Sequence, residues 1–311
     1  MIWLGEKRGY ILDWATQLWV KATGKKVRLQ DFVWLDGPSG STRGVGKECF
    51  EMLAKNEGLA IRKNHQASGI LPDIHALSGE VFNASQIQEG VKDFYQKTVD
   101  YELDAWSEWH GLFKPFGSLL AFVFSRRLQQ LNVPLSNLET SQGMTNEVWR
   151  LSDDNDEETV RYIAWIRRLR SNHNILYAGS YGTCQLPNAD DPCLKVVFPL
   201  PNGRALVIMR PKLHGDGSVS LISDGGGFGE SGFYFVVDEP DGFVWARYVK
   251  TMKESIHVYQ SEDEGCRADH RLQIFGVNFL NLHYRMRPIR KNELSRTQAI
   301  PQKHPEEEAK A

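Results

Sequence analysis

Three histidines recur at equal spacing in the carboxy-terminal third of the chain: His257, His270 and His283. Imidazoles move protons near neutral pH and ligate metals, so their placement decides what chemistry is open. Read as strands with alternating faces, the segments around residues 245–259, 267–275 and 279–287 group their side chains by parity. Arg247, His257, Tyr259, Asp269, Arg271, His283 and Arg285 then share one face. His270 falls on the other, with Ala268, Leu272 and Ile274, so the three imidazoles do not converge and no metal is expected. On the polar face, His257 or His283 suits a general acid or base, with Asp269 orienting the ring and Arg247 stabilising developing negative charge. Alternatively, Arg247, Tyr259, Arg271 and Arg285 suit an anionic ligand held without turnover. Both readings need this face to line a cavity. If it points to water, the same residues are the wet side of an antiparallel sheet.

Other motifs carry less chemistry. Gly37 to Lys47 is rich in glycine and ends in Gly-Lys, as phosphate loops do, but Ser41 stands where the first Gly is required. Glu48 follows the lysine, where a metal-binding hydroxyl belongs, and a carboxylate there would repel phosphate. Gly225 to Gly232 is followed by Phe-Tyr-Phe-Val-Val, a strand rather than the helix a dinucleotide fold needs, and reads as a wide turn. Gly179-Ser180-Tyr181-Gly182 lies within a strand pattern and is not a nucleophile elbow. No Cys-x-x-Cys pair occurs; Cys184 and Cys193 could face each other across a hairpin. No cofactor motif is found.

Two kinds of element must position these residues. The first 140 residues read as mainly helical. Helical spacing covers Tyr10–Val20, about Gly46–Asn56, a stripe from Ser85 through Phe94, Tyr101 and Leu103 to Trp106 or Trp109, and Phe116–Leu131 before Pro134. Residues 141–288 alternate apolar and polar with turns about every ten residues, the pattern of an antiparallel barrel or curved sandwich. Strands are expected at 147–152, 160–168, 175–185, 194–200, 205–210, 218–223, 232–237, 244–259, 267–275 and 279–287. Turns are expected at Pro201–Arg204, His214–Gly217 and Pro240–Gly242. Residues 289–311 are polar and read as a disordered tail. The fold class is therefore α+β: a helical amino-terminal portion packed on a large antiparallel β-barrel or curved β-sandwich.

Several stretches resemble an uncharacterised family of bacterial proteins. They include FYQKTVDYELDAWSEW from Phe94, CLKVVFPLPNGRALVIMRP from Cys193, RYVKTMKESIHVY from Arg247 and FLNLHYRM from Phe279. The resemblance implies a bacterial-type globular protein and carries over no activity.

The chain has 311 residues, 37 Lys or Arg against 39 Asp or Glu, and 41% hydrophobic residues. This is an ordinary globular balance, and a near-zero net charge argues against a nucleic-acid partner. Glu6, Lys7 and Arg8 break any leader-like core, and the longest apolar run, Leu119–Phe124, is too short to span a bilayer. Four cysteines fit a reducing compartment, so a cytoplasmic location without membrane insertion is expected. Nine Trp, ten Tyr and fifteen Phe supply contact area for a small-molecule pocket or for core packing. The expected function is a small-molecule binder, with a β-portion pocket for a partly apolar ligand able to carry an anionic group. An enzyme on the same strands and a protein-interaction module are the alternatives.

Overall fold

Alternating apolar and polar residues interrupted by tight turns pair most cheaply with their own neighbours, and antiparallel hairpins follow. The computed structural model describes residues 11–40, 47–64, 68–111, 143–153, 156–170, 175–262 and 265–289. Their strands are β1 (Lys25–Arg28), β2 (Leu59–Lys63), β3 (Tyr101–Trp109), β4 (Met144–Asp153), β5 (Asp156–Leu169), β6 (Ile175–Cys184) and β7 (Cys193–Leu200). Next come β8 (Gly203–Leu213), β9 (Val219–Ser223), β10 (Gly232–Asp238), β11 (Phe243–Tyr248), β12 (Met252–Gln260), β13 (Cys266–Ile274) and β14 (Val277–Pro288). The helices are α1 (Ile11–Thr23), α2 (Lys47–Glu57) and α3 (Glu89–Gln96).

Ten strands close into an antiparallel barrel in the order β3-β4-β5-β6-β7-β8-β9-β12-β13-β14 and back to β3. Closure depends on β8, which forks. Its Gly203–Ile208 half pairs with β10, while Arg210–Leu213 pairs with β9. β10, β11 and β1 thus continue the sheet away from the barrel. At the opposite seam β3 and β4 share a single registered pair, Leu103 with Met144. Asn146 reinforces it by donating to the Tyr101 carbonyl at 2.9 Å.

The turns follow from their residues. Asn202 takes a left-handed conformation between β7 and β8, as does Asp241 between β10 and β11. Inward side chains of the barrel merge with residues 70–95 into one core. There Phe94 of α3 meets Tyr95, Tyr101 and Trp165 edge to face and closes one end. Two smaller cores lie outside: α2 covers Trp149, Leu151 and Ile166, and residues 34–35 cover Leu206, Ile208 and Tyr234. Arg204, only 3% exposed, ties that second cover down. It donates to the carbonyls of Leu35 and Gly37 and to the Ser39 hydroxyl, and pairs with Asp238.

The protein is mostly β, so the expected α+β class holds only in part. The barrel is antiparallel as expected, but the amino-terminal portion adds three strands as well as helices. The stripe beyond Phe94 is corrected. Tyr101–Trp109 is β3, because Tyr101, Leu103 and Ala105 alternate inward while Glu102, Asp104 and Trp106 point out. The expected strand 244–259 is two strands with different partners. The turn at 249–251, where the Val249 amide donates to the Phe233 carbonyl, sends β11 to the extension and β12 to the barrel. Gly225–Gly232 is a turn held by the hydroxyls of Tyr234 and Tyr248. The expected helix at 116–131, the tail from 290 and the middle of the glycine-rich 37–47 segment lie outside the described residues.

Candidate binding cavity

The inward faces do not fill the barrel. They leave a cavity of about 640 Å³ with mostly apolar walls, bounded by Phe94 and Tyr95 at one end and by α1 residues at the other. That size lies within the range of small-molecule sites. Trp165, Tyr177, Phe198, Val207, Leu221 and Met286 are among its walls.

Several polar groups interrupt this surface, Arg167, Tyr177, Tyr181, His270 and Glu254 among them. Arg167 alternates inward with Trp165 and Leu169 on β5. Its guanidinium lies 4.1 Å from the Tyr177 ring centre, 4.5 Å from Trp165 and 5.6 Å from Tyr284. Its Nε is buried without a hydrogen-bond partner, and no acidic side chain pairs with it among the described residues. A guanidinium keeps its proton, so this is a permanent positive charge in an aromatic cage. The rings offset part of its desolvation, but they leave its planar donor fork unused.

Beside it, the Tyr177 hydroxyl donates to Tyr181 at 2.7 Å. Burial pushes the Tyr181 phenol up to about 12 and Tyr177 well above the ordinary range, against the pull of Arg167. Both therefore remain neutral hydrogen-bonding groups at physiological pH. Also lining the cavity, His270 Nε2 meets Glu254 Oε2 at 2.9 Å, and its ring stacks on Tyr284. The Glu254 amide in turn donates to the Ser223 hydroxyl.

The residues singled out from sequence fall elsewhere. His257, Asp269 and His283 are directly opposite one another on β12, β13 and β14. His283 Nδ1 is 2.7 Å from Asp269 Oδ1, and its ring stacks on the half-exposed Trp106. His257 contacts the Ser218 hydroxyl and lies beside Tyr259. Arg271 and Arg285 are on the same face, Arg285 pairing with Asp104. This whole face is the outside of the barrel. Outward charge around an apolar interior is the reverse of what a lipid-embedded barrel shows. Arg247 does not join the group, a correction that follows from the turn at 249–251. It lies on β11, donates to the Thr23 carbonyl and flanks Trp19.

Sequence reasoning missed Arg167 and the His270–Glu254 pair as a site. The usable signal was a charged residue on an otherwise apolar period-two face: Arg167 among Ile163, Trp165 and Leu169, and Glu254 among Met252, Ile256 and Val258.

No protein-family model and no solved structure matches the chain. It is similar to a Bacillus subtilis (strain 168) protein named "Uncharacterized membrane protein YndJ", with 24% identity over 263 residues. The match takes in 83% of this chain and 45% of that protein, so the chain spans under half of its relative's length. Among the described residues no helix is long and apolar enough to cross a membrane.

Proposed function

We propose that the barrel binds a small amphiphile, its apolar body in the cavity and its carboxylate or similar anionic group on Arg167. The observation that carries this is a guanidinium with no acidic partner among the described residues, inside an apolar cavity of about 640 Å³. A ligand anion would supply the charge-assisted hydrogen bonds that the protein leaves unmade, and Tyr177 and Tyr181 lie close enough to share it. The anionic-ligand role expected of Arg247, Arg271 and Arg285 passes in this reading to Arg167. The relative's name mentions a membrane, and amphiphiles partition there, so a membrane-derived ligand suits a unit belonging to such a protein. The four free cysteines support keeping the cytoplasmic side as its location.

The test is fluorescence titration with a dansyl-labelled long-chain carboxylate and the matching alcohol. The parent protein should prefer the carboxylate, and Arg167→Met should bind both alike, losing roughly tenfold or more for the carboxylate. Equal binding of both probes by the parent protein would sink the reading.

A second reading is supported by the His270–Glu254 contact inside the same cavity. A carboxylate-oriented imidazole facing a bound ligand is the arrangement general acid–base catalysis uses, now with His270 in the place expected of His257 or His283. Loss of turnover in His270→Gln with retained ligand binding would distinguish an enzyme from a carrier.

A further inference from the structure

Helix α1 wears its faces the wrong way round for a protein in water. Asp13 and Gln17 point inward, only 8% and 4% exposed, together with Val20. Gln17 is engaged there, donating to the Pro201 carbonyl and accepting from Asn202. The outward face carries Trp14, Ala15, Leu18 and Ala22, with Trp14 49% exposed and Trp19 at its margin 40% exposed. A surface helix normally does the opposite, burying its apolar stripe. An outward aromatic stripe marks a surface meant to be covered.

The ground beside the helix says what covers it. α1 packs on the face of β10 and β11 that carries Phe235 and Arg247. On the adjoining edge strand β1, Lys26 stands opposite Trp245 and Arg28 opposite Phe243. Both cations are exposed and lie over the Phe243 ring. The outward side of α1 therefore presents tryptophan and leucine, and its flank presents Lys26, Arg28 and Arg247. Tryptophan favours the water–lipid boundary, and basic side chains next to it favour anionic headgroups. A shallow apolar face with a cationic rim is the physical make-up of an interfacial membrane anchor.

We infer that α1 and the adjoining β1–β11 face dock on the surface of an anionic lipid bilayer. The outward Trp14 and Leu18 enter the headgroup layer, and Lys26, Arg28 and Arg247 meet lipid phosphates. Trp19 also lines the barrel cavity, so the docked face adjoins its helix-covered end. The inference stands on the inverted helix and its basic flank, and does not depend on what the cavity holds.

Vesicle co-sedimentation of the full chain tests this, with phosphatidylglycerol–phosphatidylcholine mixtures against phosphatidylcholine alone. Binding should require the anionic lipid, weaken in high salt, and be accompanied by a blue shift of tryptophan emission. Lys26→Glu with Arg28→Glu should lower partitioning by at least about 25-fold, taking about fivefold for each basic side chain lost, with repulsion of the two new carboxylates adding to it. Trp14→Ser should weaken binding in the same assay, and thermal unfolding verifies that each variant is folded. Absence of binding to anionic vesicles overturns the inference, as does unchanged binding by the folded charge-reversal and Trp14 variants. A dimer in solution that Trp14→Ser dissociates, without vesicle binding, would assign the face to a second copy instead and equally overturn it.

Discussion

Replacing Arg167 with Met separates a residue kept for a ligand from one kept for the fold. Among the described residues the guanidinium has no carboxylate partner, and its buried Nε–H makes no hydrogen bond. An unsatisfied buried donor costs about 1–3 kcal/mol. Three aromatic rings lie within reach, each worth about 0.5–1 kcal/mol to a cation. The two contributions nearly cancel. Met retains an apolar stem of comparable reach, so the substitution should change stability by no more than about 1 kcal/mol either way. For a domain of this size that is a Tm change within about 4 °C. An arginine holding a buried ion pair behaves differently, because removing it strands its partner at about 3–5 kcal/mol. Urea unfolding of parent and variant, ligand-free, measures the difference. A loss of 3 kcal/mol or more would refute the reasoning and make Arg167 a structural residue; near-equality together with lost carboxylate preference would support a site.

Arg204 supplies the contrasting case. It is buried against the Leu35 and Gly37 carbonyls and Asp238, so Arg204→Met should destabilise by about 3–5 kcal/mol, and limited proteolysis should cut within residues 35–40. Phe94→Ala removes the ring that meets Tyr95, Tyr101 and Trp165, and should cost about 3–5 kcal/mol in urea unfolding. Burial raises the thiols of Cys184 to about 11 and of Cys49 and Cys193 to about 12, from an ordinary 9.0. At pH 8 these thiols should resist iodoacetamide in the native protein and react fully in denaturant. Because the folded values are raised, the stabilisation is whole below pH 9.0 and should fall as pH climbs from there to about 12, measurable as a declining Tm.

The barrel was legible because its evidence is local: alternation and turn residues survive in any window, and Cys184 and Cys193 do register opposite each other. Tyr101–Trp109 was misread because Phe94, Tyr101 and Leu103 also satisfy a helical stripe, although Tyr-Glu-Leu-Asp-Ala-Trp alternates strictly. The outer row of His257, Asp269 and His283 was correctly grouped by parity, yet parity cannot say which face a closed sheet turns inward. That depends on the ring of ten strands and on the fork in β8, both long-range facts. Arg167 was hidden in Arg167-Arg168-Leu169-Arg170, which reads as a solvated basic cluster until β5 is set in its barrel.

The fork in β8 also bears on how cargo would come and go. β10 leaves the ring there, α1 packs on β10 and β11 and borders the cavity, and α1 belongs to no hydrogen-bonded ladder. Its contacts include Gln17 with Pro201 and Asn202, Lys21 with Glu239, Trp19 with Phe235 and Arg247 with the Thr23 carbonyl, and none of these is a strand pairing of the ten-stranded ring. If the cavity takes a ligand as proposed, exchange past α1 would need the undocking of one short helix, a motion of microseconds to milliseconds, and no opening of the sheet.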